Sequence, residues 1–227
     1  TLLLAMVAVV QAVAAETFES GYLKYQVDYS PSSMSYGTVI VMGLTDAGMN
    51  VSNLQLTIPA QVTYNSQVYD VTQIYATAFR QATNLYSVRA SYGLKTIGMQ
   101  AFDACTNLRY IYLPSSLTKI NRGVFRLCSS LTRIYFAAPT PTGLTLDELM
   151  FNNLDPSNID VLVGYGNANG LPLWQNALSS FGFKSVSRNA NACDAKTSSG
   201  LCLTIIQAPT FSSNGKCMAV GFAPSSA

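Results

Sequence analysis

"CTNLRYIYLPSSLTKI" occupies residues 105–120, and "CSSLTRIYFAAPTP" takes up the same phrase at residues 128–141. The offset is 23 residues. Extended in both directions, it aligns three units without a gap: "VTQIYATAFRQATNLYSVRASYG" (71–93), "LKTIGMQAFDACTNLRYIYLPSS" (94–116) and "LTKINRGVFRLCSSLTRIYFAAP" (117–139). The apolar columns are Val71, Leu94, Leu117; Ile74, Ile97, Ile120; Phe79, Phe102, Phe125; Leu85, Leu108, Leu131; and Val88, Ile111, Ile134. A unit this short cannot bury its own apolar face. Stacked units share one continuous core in which each column piles on itself.

Within a unit, "LRYIYLP" has the spacing L-x-x-I-x-L. This predicts a short strand with Leu108, Ile111 and Leu113 turned inward. Pro114 ends it, because proline has no N–H for the next ladder bond. "IGMQAFDACTNL" predicts a turn followed by a single helical turn. Strands of successive units should pair in parallel, about 4.8 Å apart. A further column, Ala82, Cys105 and Cys128, calls for a small buried residue. Free thiols suit it, since an unoxidised cysteine packs as a small hydrophobe. A disulfide between neighbouring coils is the alternative.

The outward positions of each strand follow from alternation. They read Ser87, Tyr110, Arg133 in one column and Arg89, Tyr112, Tyr135 in the next, with Tyr86, Arg109 and Thr132 at the margin. One face, expected to be the concave one, therefore carries Tyr and Arg without acids. These residue types dominate many binding interfaces because they offer area and hydrogen bonds at modest entropic cost. Tyrosine also suits an exposed pleated surface for purely structural reasons. Ser87, Arg89, Tyr110, Tyr112, Arg133 and Tyr135 are the candidate ligand-binding residues. Such a face suits an acidic or glycosylated ligand, and Tyr rings can stack on sugars as well as pack on protein.

The 227 residues include 49% apolar and only 11% charged side chains, with net charge +2. That composition opposes disorder, and the weak positive field argues against nucleic acid as the main partner. "TLLLAMVAVVQAVAA" (1–15) reads as a secretory signal peptide lacking its usual start, with Val13 and Ala15 before a cut at Glu16. It is shorter than the roughly 20 residues of a spanning helix. The mature chain is thus expected to be exported, without a transmembrane helix.

The quoted repeats resemble the BspA-like leucine-rich repeats, whose consensus runs roughly L-x-x-I-x-L/I-P-x-S-V/L-x-x-I-x-x-x-A-F-x-x-C-x-x-L. The likeness is strong over residues 71–136. "LTIPAQVTYNSQVYDVTQIYATAF" (56–79) looks like the family's first unit, in which a β-hairpin interrupts the repeat. "APTPTGLTLDELMFNNLDPSNIDVLVGYGNANGLPLWQNALSSF" (138–181) is similar to its closing unit, with Pro139, Pro141, Phe151, the strand from Asp160 to Val163, Trp174 and Phe181. Val163–Gly164 stands where that unit usually has Val-Pro. The resemblance implies an α/β leucine-rich repeat solenoid, β-rich, with short parallel strands, short helical or 3-10 turns and an N-terminal β cap. It also implies a secreted or cell-surface protein that binds other macromolecules, host matrix proteins among them in some members.

The expected organisation is a signal peptide (1–15), a β cap (16–58) built from runs such as "GYLKYQV" and "GTVIVMGL", repeats with their closing unit (59–186), and a tail (187–227) containing Cys193, Cys202 and Cys217. That tail reads as a Cys-linked hairpin, the start of a second domain, or an unstructured end. Its pairing stays open, as does the oligomeric state.

Catalytic signals are sparse. The chain has no histidine, which removes the commonest general base and most catalytic zinc sites. The tail cysteines lack metal-ligand spacing, and no Gly-rich phosphate loop is present. Among the acids, Asp147, Glu148, Asp155 and Asp160 cluster without suggesting a facing pair. The expectation is a non-enzymatic protein, without cofactor or metal, that binds another macromolecule through its strand face, in adhesion or protein–protein interaction. The alternatives are a glycan-binding surface protein for polysaccharide capture and a fragment of a larger secreted enzyme.

Overall fold

A computed structural model describes residues 16–28, 37–164 and 169–189, together with the backbone of short strands between 195 and 224. The chain opens with β1 (Thr17–Ser20), β2 (Leu23–Asp28), β3 (Thr38–Leu44) and the one-turn helix α1 (Asp46–Met49). There follow β4 (Leu54–Ile58), then a hairpin of β5 (Gln61–Tyr64) and β6 (Gln67–Ile74). The repeats contribute β7 (Leu85–Ala90), β8 (Thr96–Ile97), β9 (Tyr110–Leu113), β10 (Lys119–Ile120), β11 (Arg133–Phe136) and β12 (Thr145–Leu146). The closing unit adds β13 (Asp160–Val163), α2 (Gly170–Ala177) and β14 (Ser185–Arg188).

These strands form two walls. The first is a six-stranded parallel sheet in the order β4-β7-β9-β11-β13-β14. Its register keeps the sequence columns: Ser87 pairs with Tyr110, and Tyr110 with Arg133. The second wall runs β1-β2-β3-β6-β8-β10-β12, with β5 beside β6. Its repeat strands β8 and β10 are two residues long, "TI" and "KI", and pair in register with the "QI" that ends β6. Sequence periodicity had identified these columns as core but had not assigned them strands of their own. Two residues are too few for an alternation signal.

The cap sheet is the antiparallel extension β1-β2-β3 of the second wall. β4, inside the 16–58 segment expected to cap the solenoid, instead pairs with β7 in the first wall.

The third side is made of turns. The single helical turn expected in "IGMQAFDACTNL" is replaced by consecutive turns, because Gln100 and Ala104 hold φ of 55° and 58° and a right-handed helix cannot pass through them. The same left-handed positions recur one repeat earlier at Thr77 (59°) and Gln81 (61°), and one repeat later at Gly123 (66°) and Leu127 (57°). They aim alternate N–H groups at the next coil. Thr77, Phe79 and Gln81 donate to the carbonyls of Met99, Ala101 and Asp103 at 2.9, 2.8 and 2.8 Å. Helices appear at the two ends, as α1, α2 and the 3-10 turns Pro156–Asn158 and Ser179–Phe181. Among the described residues no helix is long and apolar enough to cross a membrane.

Between the walls the columns stack as the repeat requires. Phe79, Phe102 and Phe125 are fully buried, with ring centroids 5.1 and 6.2 Å apart and planes within 10°. Phe151 continues the pile at 5.5 Å, and Phe181 and Phe183 close it edge-on. Trp174 of α2 seals the same end against Phe136 at 4.6 Å, its indole N–H donating to the Ala138 carbonyl at 3.1 Å. Cys105 and Cys128 are buried free thiols. Each donates to the phenylalanine carbonyl of the preceding coil, Phe79 and Phe102, at 3.0 Å. Burial pushes both thiols up, Cys128 to about 12.

Beyond residue 189, Ala195–Lys196, Cys202–Ile205 and Phe222–Pro224 form one small antiparallel sheet, and Thr210–Phe211 pairs with Cys217–Ala219. Cys193, the side chains of Cys202 and Cys217, and the expected signal segment 1–15 lie outside the described residues.

Candidate functional site

The outward residues of the first wall form rows across the strands. One row runs Gln55, Ser87, Tyr110, Arg133, Asp160, Ser185; the other runs Thr57, Arg89, Tyr112, Tyr135, Leu162, Ser187. All six candidate residues therefore share one sheet face, on strands β7, β9 and β11. Parallel pairing at a common register brings them together, because a side chain repeats its face at every second position and its row at every coil.

Neighbours in these rows are locked against each other. The Arg89 guanidinium lies 3.9 Å over the Tyr112 ring, and Tyr112 stacks on Tyr135 at 4.1 Å with planes 9° apart. Both faces of Tyr112 are thus covered, and the side chain is half-buried. In the adjacent row Arg133 stands 5.6 Å from the Tyr110 ring, and Tyr86 meets Tyr110 edge-on at 5.7 Å. Burial, together with the Tyr135 phenol group beside it, raises the Tyr112 phenol above its ordinary value, against the opposing pull of Arg89.

A shallow groove of about 320 Å³ runs along this face. It holds Ser87, Arg89, Tyr110 and Tyr112 with Tyr86, and it extends onto Gln55 and Thr57 of β4. Arg133 is exposed beyond the groove. Gln55 and Thr57 did not figure among the candidates. Their signal was the alternation of "LQLTI", whose burial reads buried-exposed-buried-exposed-buried.

Two features of the face differ from expectation. Tyr135 was expected to present its ring, yet it is only 7% exposed. It sits between Tyr112 and the Leu162 position of β13. The face is also not free of acids along its whole length, since Asp160 takes the position next to Arg133. The closing unit puts Asp160 27 residues after Arg133, outside the 23-residue count. Its carboxylate accepts from Ser185 Oγ at 2.6 Å and pairs with Lys184 at 3.5 Å.

The other clustered acids serve local structure. Asp155 caps the 3-10 turn, accepting from Ser157 N at 2.9 Å and Ser157 Oγ at 2.8 Å, and these bonds hold its carboxyl below the usual range. Asp147 Oδ1 accepts from Leu149 N at 2.9 Å. Among the described residues no group of three His, Cys, Asp or Glu side chains could hold a metal.

Solved structures resemble this one. A leucine-rich repeat protein from Bacteroides capillosus is 25% identical, with a TM-score of 0.51, over 66% of this chain and 99% of that one. One from Bacteroides ovatus is 22% identical, TM-score 0.51, over 78% of this chain and 44% of its own length. A leucine rich cell surface protein from Faecalibacterium prausnitzii is 19% identical, TM-score 0.47, over 89% of this chain and 60% of that one. No curated protein matches significantly. Residues 55–162 match the BspA type leucine rich repeat region in six copies, so the repeats of this chain belong to the BspA-type leucine-rich repeats.

Proposed function

We propose that this protein is a secreted or cell-surface binding protein, not an enzyme, that engages another protein through the groove on its first wall. The observation that carries the reading is the Arg89–Tyr112–Tyr135 pile. It fixes two long side chains before any ligand arrives, so little rotamer entropy remains to be lost on binding. Membership in a leucine-rich repeat family that includes surface proteins supports the same role.

The pile also bears on ligand class. A sugar stacks on an open aromatic face, and Tyr112 offers none. What is left is the ring edge with the guanidinium beside it, and these suit the polar and aromatic contacts of a protein surface. Capture of a polysaccharide is the alternative. A panel of extracellular matrix proteins and a glycan array, probed with the chain and its Tyr110→Ala variant, separates the two. The expected result is a protein hit that Tyr110→Ala weakens. A glycan hit weakened by the same substitution would replace the reading, and hits indifferent to it would remove the groove as the site.

A further inference from the structure

The cap closes only one of the two walls. On the second wall β3 pairs with β6 and continues into β2 and β1. On the first wall β4 is the last strand. Leu54 N donates to the Asn84 carbonyl at 2.8 Å, and the Ile58 carbonyl accepts from Ser91 N at 3.0 Å. Strand alternation then turns the N–H and C=O of Gln55 and Thr57 away from β7. Among the described residues no hydrogen bond engages these groups, and both side chains are exposed.

Natural sheet edges are ordinarily guarded by a charge, a proline or a bulge. "LQLTI" carries no charge, and Pro59 follows the strand without interrupting it. The one register shift, between Leu54 and Gln55, places the extra residue, Tyr86, on β7. β4 thus presents two donors and two acceptors in an unguarded row, and the groove begins at that row.

We infer that β4 receives an extended acidic segment of the protein partner as an added strand. The inference rests on the reading of this face as a protein-binding surface and names how the partner docks. The charge follows from what lies beside the edge. The outward side chains of β4, β7 and β9 include Arg89 and no acid, and the exposed Arg109 immediately precedes β9. Thr57, the row neighbour of Arg89, is small enough to leave the path from the edge to the guanidinium open. Main-chain bonds to Gln55 and Thr57 supply the affinity, and every second side chain of the added strand stands over the groove and supplies the selectivity.

The test uses the full chain and an array of seven-residue peptides alternating Glu or Asp with Val, Thr or Tyr. The tightest is remade with alternate backbone nitrogens methylated and, separately, with Lys for its acids. Strand addition predicts binding that falls at least tenfold on N-methylation, on charge reversal, and in a Thr57→Pro variant. N-methylation probes the same bonds without touching the fold of the chain.

Binding that survives N-methylation and Thr57→Pro, or no binding anywhere on the array, overturns strand addition. So does self-association in sedimentation that Thr57→Pro abolishes, since a second copy would then own the edge. None of these outcomes removes the groove, which Tyr110→Ala tests separately on the matrix panel.

Discussion

Arg126 grips Asp103 through two nitrogens, Nε at 2.8 Å and Nη2 at 2.7 Å, from one coil further along the solenoid. Arg80, one coil earlier, reaches the same carboxylate at 3.2 Å. Asp103 is fully buried, so the two arginines neutralise a charge that would otherwise be costly to bury. Truncating a partner leaves that charge underpaired. Arg126→Met should therefore lower Tm more than Arg80→Met, whose side chain is half exposed and makes the longer contact. Thermal melts of the two variants check the order, and an equal loss would mean the bidentate pair has no special weight.

Phe102 lies in the middle of the ring pile, with Phe79 on one side and Phe125 on the other. Phe102→Ala should cost about 3–5 kcal/mol, the usual range for a buried aromatic. Urea unfolding measures it, and a loss below about 1 kcal/mol would mean the pile does not organise the core.

Tyr112 and Tyr135 test the stacked row of the binding face. Alanine at either should destabilise modestly. A double-mutant cycle should show a coupling of about 0.5–1.5 kcal/mol, the range for paired aromatic rings. A coupling near zero would mean the rings are neighbours without interacting. This coupling also makes Tyr135 a poor binding probe, since its loss disturbs its neighbour.

The buried thiols make stability fall in alkali. Their folded pKa values lie above the ordinary 9.0, about 12 for Cys128. Their contribution is complete below pH 9 and declines above it, because the unfolded chain releases its protons first. It is fully lost once the pH passes the folded value. The slope is at most about 1.4 kcal/mol per pH unit for each thiol. Urea unfolding at pH 8 and pH 10 should show a steeper decline for the wild type than for a Cys105→Ala/Cys128→Ala variant, and parallel declines would contradict the burial.

The repeat count made most of this legible in the sequence. The first wall, the Phe pile and the thiol column all follow from apolar or small residues recurring every 23 residues. The Arg80–Asp103–Arg126 clamp obeys the same count, but its polar side chains do not register in a hydrophobic alignment. The turns of the third side depend on left-handed φ at Thr77, Gln100 and Ala104, residue types that do not advertise it. The cover over Tyr135 and the acid beside Arg133 come from a closing unit that abandons the 23-residue spacing. The open edge of β4 is a fact of topology that no local pattern carries.

Arg89 and Arg122 distinguish a protein ligand held on the first wall from one drawn by net charge alone. Both arginines carry the same charge, but Arg89 lines the groove, whereas Arg122 is exposed in the turns of the third side. The measurement is the Kd of the tightest ligand from the matrix panel for Arg89→Ala and Arg122→Ala, by surface plasmon resonance. Binding on the first wall predicts at least a tenfold loss for Arg89→Ala and less than a twofold change for Arg122→Ala. Equal losses would reduce the interaction to net charge, and a loss confined to Arg122→Ala would move the site to the turns.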